Sequence, residues 1–257
     1  MPSGVQIPLP SYKNKMETLK KVLVNKGNFF YWFKGDLHTH LGVINEKKLE
    51  NALNGKIVKS SKGEKFLVLD PNFTDKIRKV KRGPQVILPK DIGLIITTAG
   101  LNKESFVVDA GAGSLFMASS LSNFVKKVVS YENKLEFYKI AKENLKILGI
   151  KNMKLKKGDV YKSISERNVD LVMLDVPEPW RAVKNAEKAL KYGGFLVAYN
   201  PSINQVKKFV ESAKKESFLI LKVSELIERE WFIEKHRQRP KTDIIGHTGF
   251  MTFARKL

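Results

Sequence analysis

FVVDAGAGS, residues 106–114, carries the reading of the fold: an apolar run ends in an acid, and two glycines follow before a segment apolar enough to form a buried helix. Gly111 and Gly113 let the backbone turn sharply and approach a ligand closely, while the helix that follows offers unpaired N–H groups to an anionic or carboxylate end. Downstream, residues 128–132 read as a strand ending at Glu132, and Leu135, Tyr138, Ala141, Leu145 and Leu148 recur at the spacing of one helical face. Residues 153–155, 169–174 and 195–199 read as three more strands, with helices expected over 179–190 and along Ile203, Val206, Phe209, Val210 and Ala213. Such alternation implies an α/β, Rossmann-like domain, its parallel sheet covered by helices on both faces. Residues 219–233 and 249–254 are strand-like with no helix between them, so an antiparallel pair is expected at one edge.

Upstream the pattern is different. KIVKSSKGEKFLVLD (56–70) reads as two strands about a Ser/Lys/Gly turn, the aromatic run at 29–33 lies between Gly27 and Gly35, and DLHTHLGVI (36–44) separates the two. RKVKRGP (78–84) joins a basic cluster to a Gly-Pro breaker, which divides the chain into a small β-rich domain over 1–83 and the Rossmann-like domain over 84–257.

Composition limits the chemistry. The 257 residues contain no cysteine, which excludes disulfides, thiolate metal sites and cysteine nucleophiles. His38 and His40 fall on one face of an extended segment but lack an evident third ligand, so no metal is expected. No stretch approaches the roughly 18 apolar residues of a membrane span, and the reading is a soluble cytoplasmic protein without a membrane partner. Lys and Arg number 47 against 26 Asp and Glu, a net charge of +21 that a polyanionic partner explains better than solubility does. The basic clusters at 75–82, 151–158 and 234–241 are candidates for a nucleic-acid track.

Glu132 ends the strand after the Gly-rich turn, where an acid accepts hydrogen bonds from ribose hydroxyls; together these features indicate an adenosine-type cofactor. Two such cofactors compete. A dinucleotide site wants a third glycine, but Phe116 stands there; GDVY (158–161) instead supplies Asp159 where an adenine amine would sit, which favours S-adenosylmethionine. VDLVMLDVPEPW (169–180) then delivers Asp175 to the end of an apolar strand, stiffens the exit with Pro177 and Pro179 and adds Trp180 as a stacking surface. In a doubly wound sheet the first and fourth strands flank the switch point, so Asp175 is expected beside the Gly-rich turn.

At these residues the chain resembles the tRNA (adenine-N1)-methyltransferases that act on T-loop adenosines. The resemblance runs through GDLHTHLGVI (35–44), RGPQVILPKDIGLII (82–96), VVDAGAGS (107–114), GDVY, LDVPEPWRAV (174–183), GGFLVAYNPSINQV (193–206) and GHTGFMTFARK (246–256). It implies a class I methyltransferase domain behind a small amino-terminal β domain, S-adenosylmethionine as donor, tRNA as partner and a homotetramer. Archaeal members, the nearer resemblance, modify adenines 57 and 58; bacterial members modify adenine-58. The cofactor set implied is Asp109, Gly111, Ala112, Gly113, Ser114, Leu115, Glu132, Asp159, Val160 and Asp175. Asp175 and Tyr199 are the expected catalytic pair, with Trp180, Arg181, His247 and Thr248 beside the substrate. Where the family commonly has Gly after the serine of the turn this chain has Leu115, expected to crowd the methionine end of the cofactor. The rival expectations are a non-catalytic tRNA-binding subunit of the same fold, a dehydrogenase, and a methyltransferase acting on protein or small molecules.

Overall fold

The computed structural model describes residues 17–81, 86–234 and 236–257. Contacts group the chain into two units that meet between Lys79 and Val80; the boundary expected after residue 83 falls outside the described residues.

In the first unit, β1 (Lys21–Asn25), β2 (Asn28–Trp32), β5 (Ile57–Lys59) and β6 (Lys65–Leu69) form an antiparallel sheet in the order β2-β1-β6-β5. The alternation of β6, with Phe66 and Val68 inward and Lys65 and Leu67 outward, is what a sheet with one wet face requires. A short hairpin of β3 (Leu37–Thr39) and β4 (Gly42–Ile44) leads into α1 (Glu46–Glu50), and α2 (Phe73–Ile77) starts on a capping box formed by Asn72 and Asp75. Leu23, Trp32, Ile44, Leu49, Phe66 and Val68 close its core.

The second unit opens with α3 (Pro89–Thr98), then alternates β7 (Phe106–Ala110), α4 (Phe116–Ser122), β8 (Lys127–Glu132), α5 (Leu135–Leu148), β9 (Met153–Lys157) and β10 (Val169–Leu174). It continues through α6 (Val183–Ala189), β11 (Leu190–Asn200), α7 (Ile203–Lys214), β12 (Phe218–Ser224), the hairpin of β13 (Trp231–Glu234) and β14 (Arg237–Pro240), and β15 (Phe250–Lys256). Seven strands form one sheet in the order β12-β15-β11-β10-β7-β8-β9, parallel from β11 to β9 and antiparallel at β15 and β12. Buried residues along β7, β10 and β11 pack on both sides of it, as a sheet covered on both faces demands. The Rossmann-like architecture is therefore present.

Three elements differ from expectation, each for a local reason. Gly113 and Leu115 both adopt left-handed backbone, φ 50° and 65°, so α4, expected over 114–125, begins only at Phe116. The helix expected over 179–190 starts as a 3-10 turn at Pro179–Ala182, and β11 follows it directly from Leu190. Residues 219–233 are not one strand: Glu225, Glu228, Arg229 and Glu230 interrupt it, and Trp231–Glu234 leaves the sheet to pair with Arg237–Pro240. Among the described residues no helix is long and apolar enough to cross a membrane.

Candidate active site

Strand β10 runs between β7 and β11, so the ends of the first and fourth parallel strands are neighbours. Leu174 pairs with Ala110, and the next backbone N–H, of Asp175, donates to the Ala110 carbonyl at 2.5 Å. A cleft of about 530 Å³ opens over these strand ends, with Gly111, Gly113, Glu132, Asp159, Val160, Asp175 and Tyr199 in its wall. At Gly111 a Cβ would stand 3.0 Å from the Asp175 carbonyl oxygen, which is why the strand-to-strand approach needs glycine there.

One half of the cleft is organised by backbone. The Glu132 carboxylate accepts from the Gly113 N–H at 3.0 Å and from the Lys134 N–H at 2.9 Å, tying the Gly-rich turn to the next strand. Each of its oxygens retains a lone pair for a ribose hydroxyl. Asp159 accepts from the Tyr161 N–H at 2.9 Å, fixing the GDVY turn, and Tyr161 in turn accepts from the Glu178 N–H at 2.9 Å. Gly158 lies so close to Tyr131 that a Cβ would sit 3.0 Å from its ring. Three carboxylates at successive strand ends and a turn with no space for a side chain fit an adenosine ligand with hydroxyl and amine donors.

The other half depends on side chains. Asp175 is reached by solvent through the cleft yet hemmed in by protein, and this desolvation pushes its carboxyl up to about 6. Tyr199 is nearly buried at the end of β11, its phenol raised to about 12, first by burial. Its ring packs on Gly249, where a Cβ would fall 2.5 Å from Cζ. Behind it lie the buried Lys90–Asp91 ion pair, 2.7 Å, and Thr248.

The remaining expected residues spread outward. Asp109 lies beneath the turn with one oxygen accepting from Ser130 at 2.5 Å and the other without a partner; burial raises it to about 7. Ala112 and Ser114 are buried, and Leu115 is fully enclosed in the same core cluster as Leu121 and is not in the cleft wall. Trp180 is half-buried under Lys208, 5.0 Å from its ring centroid, and its carbonyl accepts from Ser212; it is not in the cleft wall. Arg181 is exposed, paired with Glu178 at 2.7 Å and stacked on Tyr161 at 4.7 Å. His247 contacts the Glu225 carboxylate and the Pro201 carbonyl, the latter at 2.9 Å, and the carboxylate raises its pKa. Pro201 itself lines the cleft. Among the described residues no three carboxylates or histidines gather as metal ligands. The local sequence assigns no role to Lys90, Asp91, Tyr161 or Gln205, although all four sit inside motifs quoted above.

Of the basic clusters, Lys154 and Lys157 are exposed on the edge strand β9, whereas Lys156 is held by Glu166 and Ser165. On the β13–β14 hairpin, Arg237, Arg239 and Lys241 surround Phe232 at 4.2–5.6 Å from its ring centroid.

The chain is similar to known proteins over most of its length. TrmI of Methanocaldococcus jannaschii, a tRNA (adenine(57)-N(1)/adenine(58)-N(1))-methyltransferase, is 38% identical over 91% of this chain and 94% of its own length. TrmI of Thermus thermophilus, a tRNA (adenine(58)-N(1))-methyltransferase, is 31% identical over 86% of this chain and 89% of its own. The crystal structure of TrmI from Aquifex aeolicus superposes with a TM-score of 0.78 at 28% identity, covering 95% of this chain and 99% of that one. An S-adenosylmethionine-dependent O-methyltransferase from Thermotoga maritima gives 0.84 at 30% identity, covering 94% of each chain. Residues 78–239 match the family described as tRNA methyltransferase complex GCD14 subunit. With most of its length inside that match and relatives aligned nearly end to end, the chain belongs to the tRNA methyltransferase complex GCD14 subunit family.

Proposed function

We propose that this protein is an S-adenosylmethionine-dependent tRNA methyltransferase that methylates N1 of adenine-58 in the T-loop. The observation that carries it is the pairing of Asp175 with a Gly-rich turn whose neighbouring strand ends bear Glu132 and Asp159. Glu132 and Asp159 would hold the ribose and adenine of the donor, with Gly111 letting the turn lie against Asp175 beside its reactive end. When bound, the donor supplies an electrophilic methyl group on a positively charged sulfur.

Adenine N1 has an in-plane lone pair free at neutral pH, so the protein needs no strong base; its residues must orient the ring and accommodate the charge that moves onto it. Asp175 does both: its carboxylate accepts from the exocyclic amine and stabilises the developing cation from the cleft wall beside the Gly-rich turn. Tyr199 forms the wall opposite the turn and holds the base in line. The target adenine must leave its tertiary contacts to enter, at a cost of a few kcal/mol, and phosphate contacts from exposed lysines and arginines offset it. Lys154, Lys157 and the cluster around Phe232 are the groups we assign to that track. Each neutralised phosphate then contributes about −0.7 to −0.9 to the log–log salt dependence of affinity.

Two finer readings go with this one. Methylation of adenine-57 as well as adenine-58 is supported by the identity to the M. jannaschii enzyme, and a homotetramer by the family resemblance. Incubating the protein with labelled donor and an unmodified tRNA transcript, then mapping reverse-transcription stops, tests the assignment. Stops at 58, or at 57 and 58, are expected; binding without any stop would favour a non-catalytic tRNA-binding subunit.

A further inference from the structure

The Lys90–Asp91 pair lies behind the cleft with no part in methyl transfer assigned to it. Asp91 is fully buried and the Lys90 side chain is 7% exposed. Such a pair is costly to desolvate and adds little stability by itself, so what it organises is the question. The Lys90 ammonium has three donors, and all are used: Asp91 Oδ1 at 2.7 Å, the Leu226 carbonyl at 2.8 Å and Thr248 Oγ1 at 2.8 Å. Because an ammonium only donates, Thr248 must accept from it, and the single Thr248 proton is left for Asp91 Oδ2 at 3.2 Å. Asp91 Oδ2 also accepts from the Tyr199 hydroxyl at 3.5 Å.

Thr248 also hydrogen-bonds the Tyr199 hydroxyl, so its proton is shared between Asp91 Oδ2 and the phenol oxygen. An ionised carboxylate only accepts, so in its contact with Asp91 the Tyr199 hydroxyl donates backward, away from the cleft, whichever oxygen takes the Thr248 proton. We infer that Lys90, Asp91 and Thr248 act as positioning residues that make Tyr199 Oη an obligate hydrogen-bond acceptor toward the cleft, selecting a purine with a 6-amino group over one with a 6-keto group. Adenine offers two N–H groups on its exocyclic nitrogen, one for Asp175 and one for Tyr199; guanine and hypoxanthine would place a carbonyl oxygen against both acceptors. The phenol stays neutral over the physiological range, so its polarity is fixed by the network and not by pH. Packing on Gly249 removes the freedom to rotate the ring out of this arrangement.

This rests on the reading of the cleft as a site of methyl transfer to adenine N1. The test uses the full chain and tRNA transcripts carrying either adenosine or purine riboside at the target position; both have the N1 lone pair, and only adenosine has the amine. In Asp91→Asn the amide N–H can donate to the phenol and free its proton to turn toward the cleft. kcat/KM for adenosine should fall about tenfold, with purine riboside changed less than about threefold and S-adenosylhomocysteine affinity unchanged. Tyr199→Phe should lose the same preference, and adding Asp91→Asn to it should cost nothing more. Thr248→Val, which removes the bridging hydroxyl, gives the same readout if Asp91→Asn does not fold, with Thr248→Ser restoring the wild-type ratio. An equal loss on both substrates, or additive effects of the Asp91 and Tyr199 changes, would overturn the inference in favour of a structural role. Wild-type protein inactive on both transcripts would instead remove the methyl-transfer reading, and this inference with it.

Discussion

The two halves of the cleft are built in opposite ways. On the side of β7, β8 and β9, the site is made by main chain: a Gly-rich turn, an N–H pair held by Glu132 and a tight turn held by Asp159. On the side of β10, β11 and β15 it is made by buried side chains, with Asp91 contacting Tyr199 and Thr248 from 108 and 157 residues away. Main-chain construction suits a ligand that every turnover shares, because amide geometry is set by the fold. Side-chain construction suits the acceptor, whose identity has to be chosen against close analogues and where one proton's direction decides the choice.

If the halves are separable, substitutions should divide cleanly between donor affinity and transfer. The largest effect is expected for Asp175→Ala: transfer falls by about 10³-fold or more, the scale of losing a preorganised electrostatic contact, while calorimetry shows donor affinity near wild type. Loss of donor binding in that variant would break the comparison. Gly249→Ala forces a Cβ into the Tyr199 ring from a backbone at φ 158°, and should lower transfer by roughly 10²-fold, again without weakening the donor. Glu132→Ala should do the reverse, weakening donor affinity by about 10- to 30-fold through lost charge-assisted hydrogen bonds and leaving turnover at saturating donor within a few-fold.

A smaller effect comes from pH. The Asp175 carboxyl is raised to about 6, so it is ionised above that value and protonated below it. Transfer should hold above pH 7 and fall about tenfold by pH 5, with tRNA affinity measured separately at each pH. A rate unchanged between pH 7 and 5 would remove the carboxylate from the chemistry.

The same contrast explains what could be read in advance. The donor half is short-range: strand, turn and helix occupy residues 106–122, and periodicity with two glycines announces them. Asp175 was legible because it follows a strand whose last four residues, 171–174, are all apolar, and strand order fixes its neighbour. The Lys90–Asp91 pair was not, since a charged dipeptide after a proline reads as an ordinary exposed helix start until the fold buries it. The enclosure of Leu115 was hidden for a similar reason: nothing local shows its left-handed backbone or the burial of its side chain. The interruption of 219–233 was visible in its charges, although the hairpin it creates depends on pairing with residues 237–240.

Strand β15 lies between β11 and β12, and among the described residues β12 has no other partner in the sheet. During synthesis the order of emergence from the ribosome is β11, β12, β15, so β12 must wait unpaired until residues 250–256 are out. The nascent polypeptide can thus bring β7 through β11 together before Gly249 arrives to brace Tyr199. A truncated translation product ending after β11 would carry a donor pocket without a selective acceptor wall.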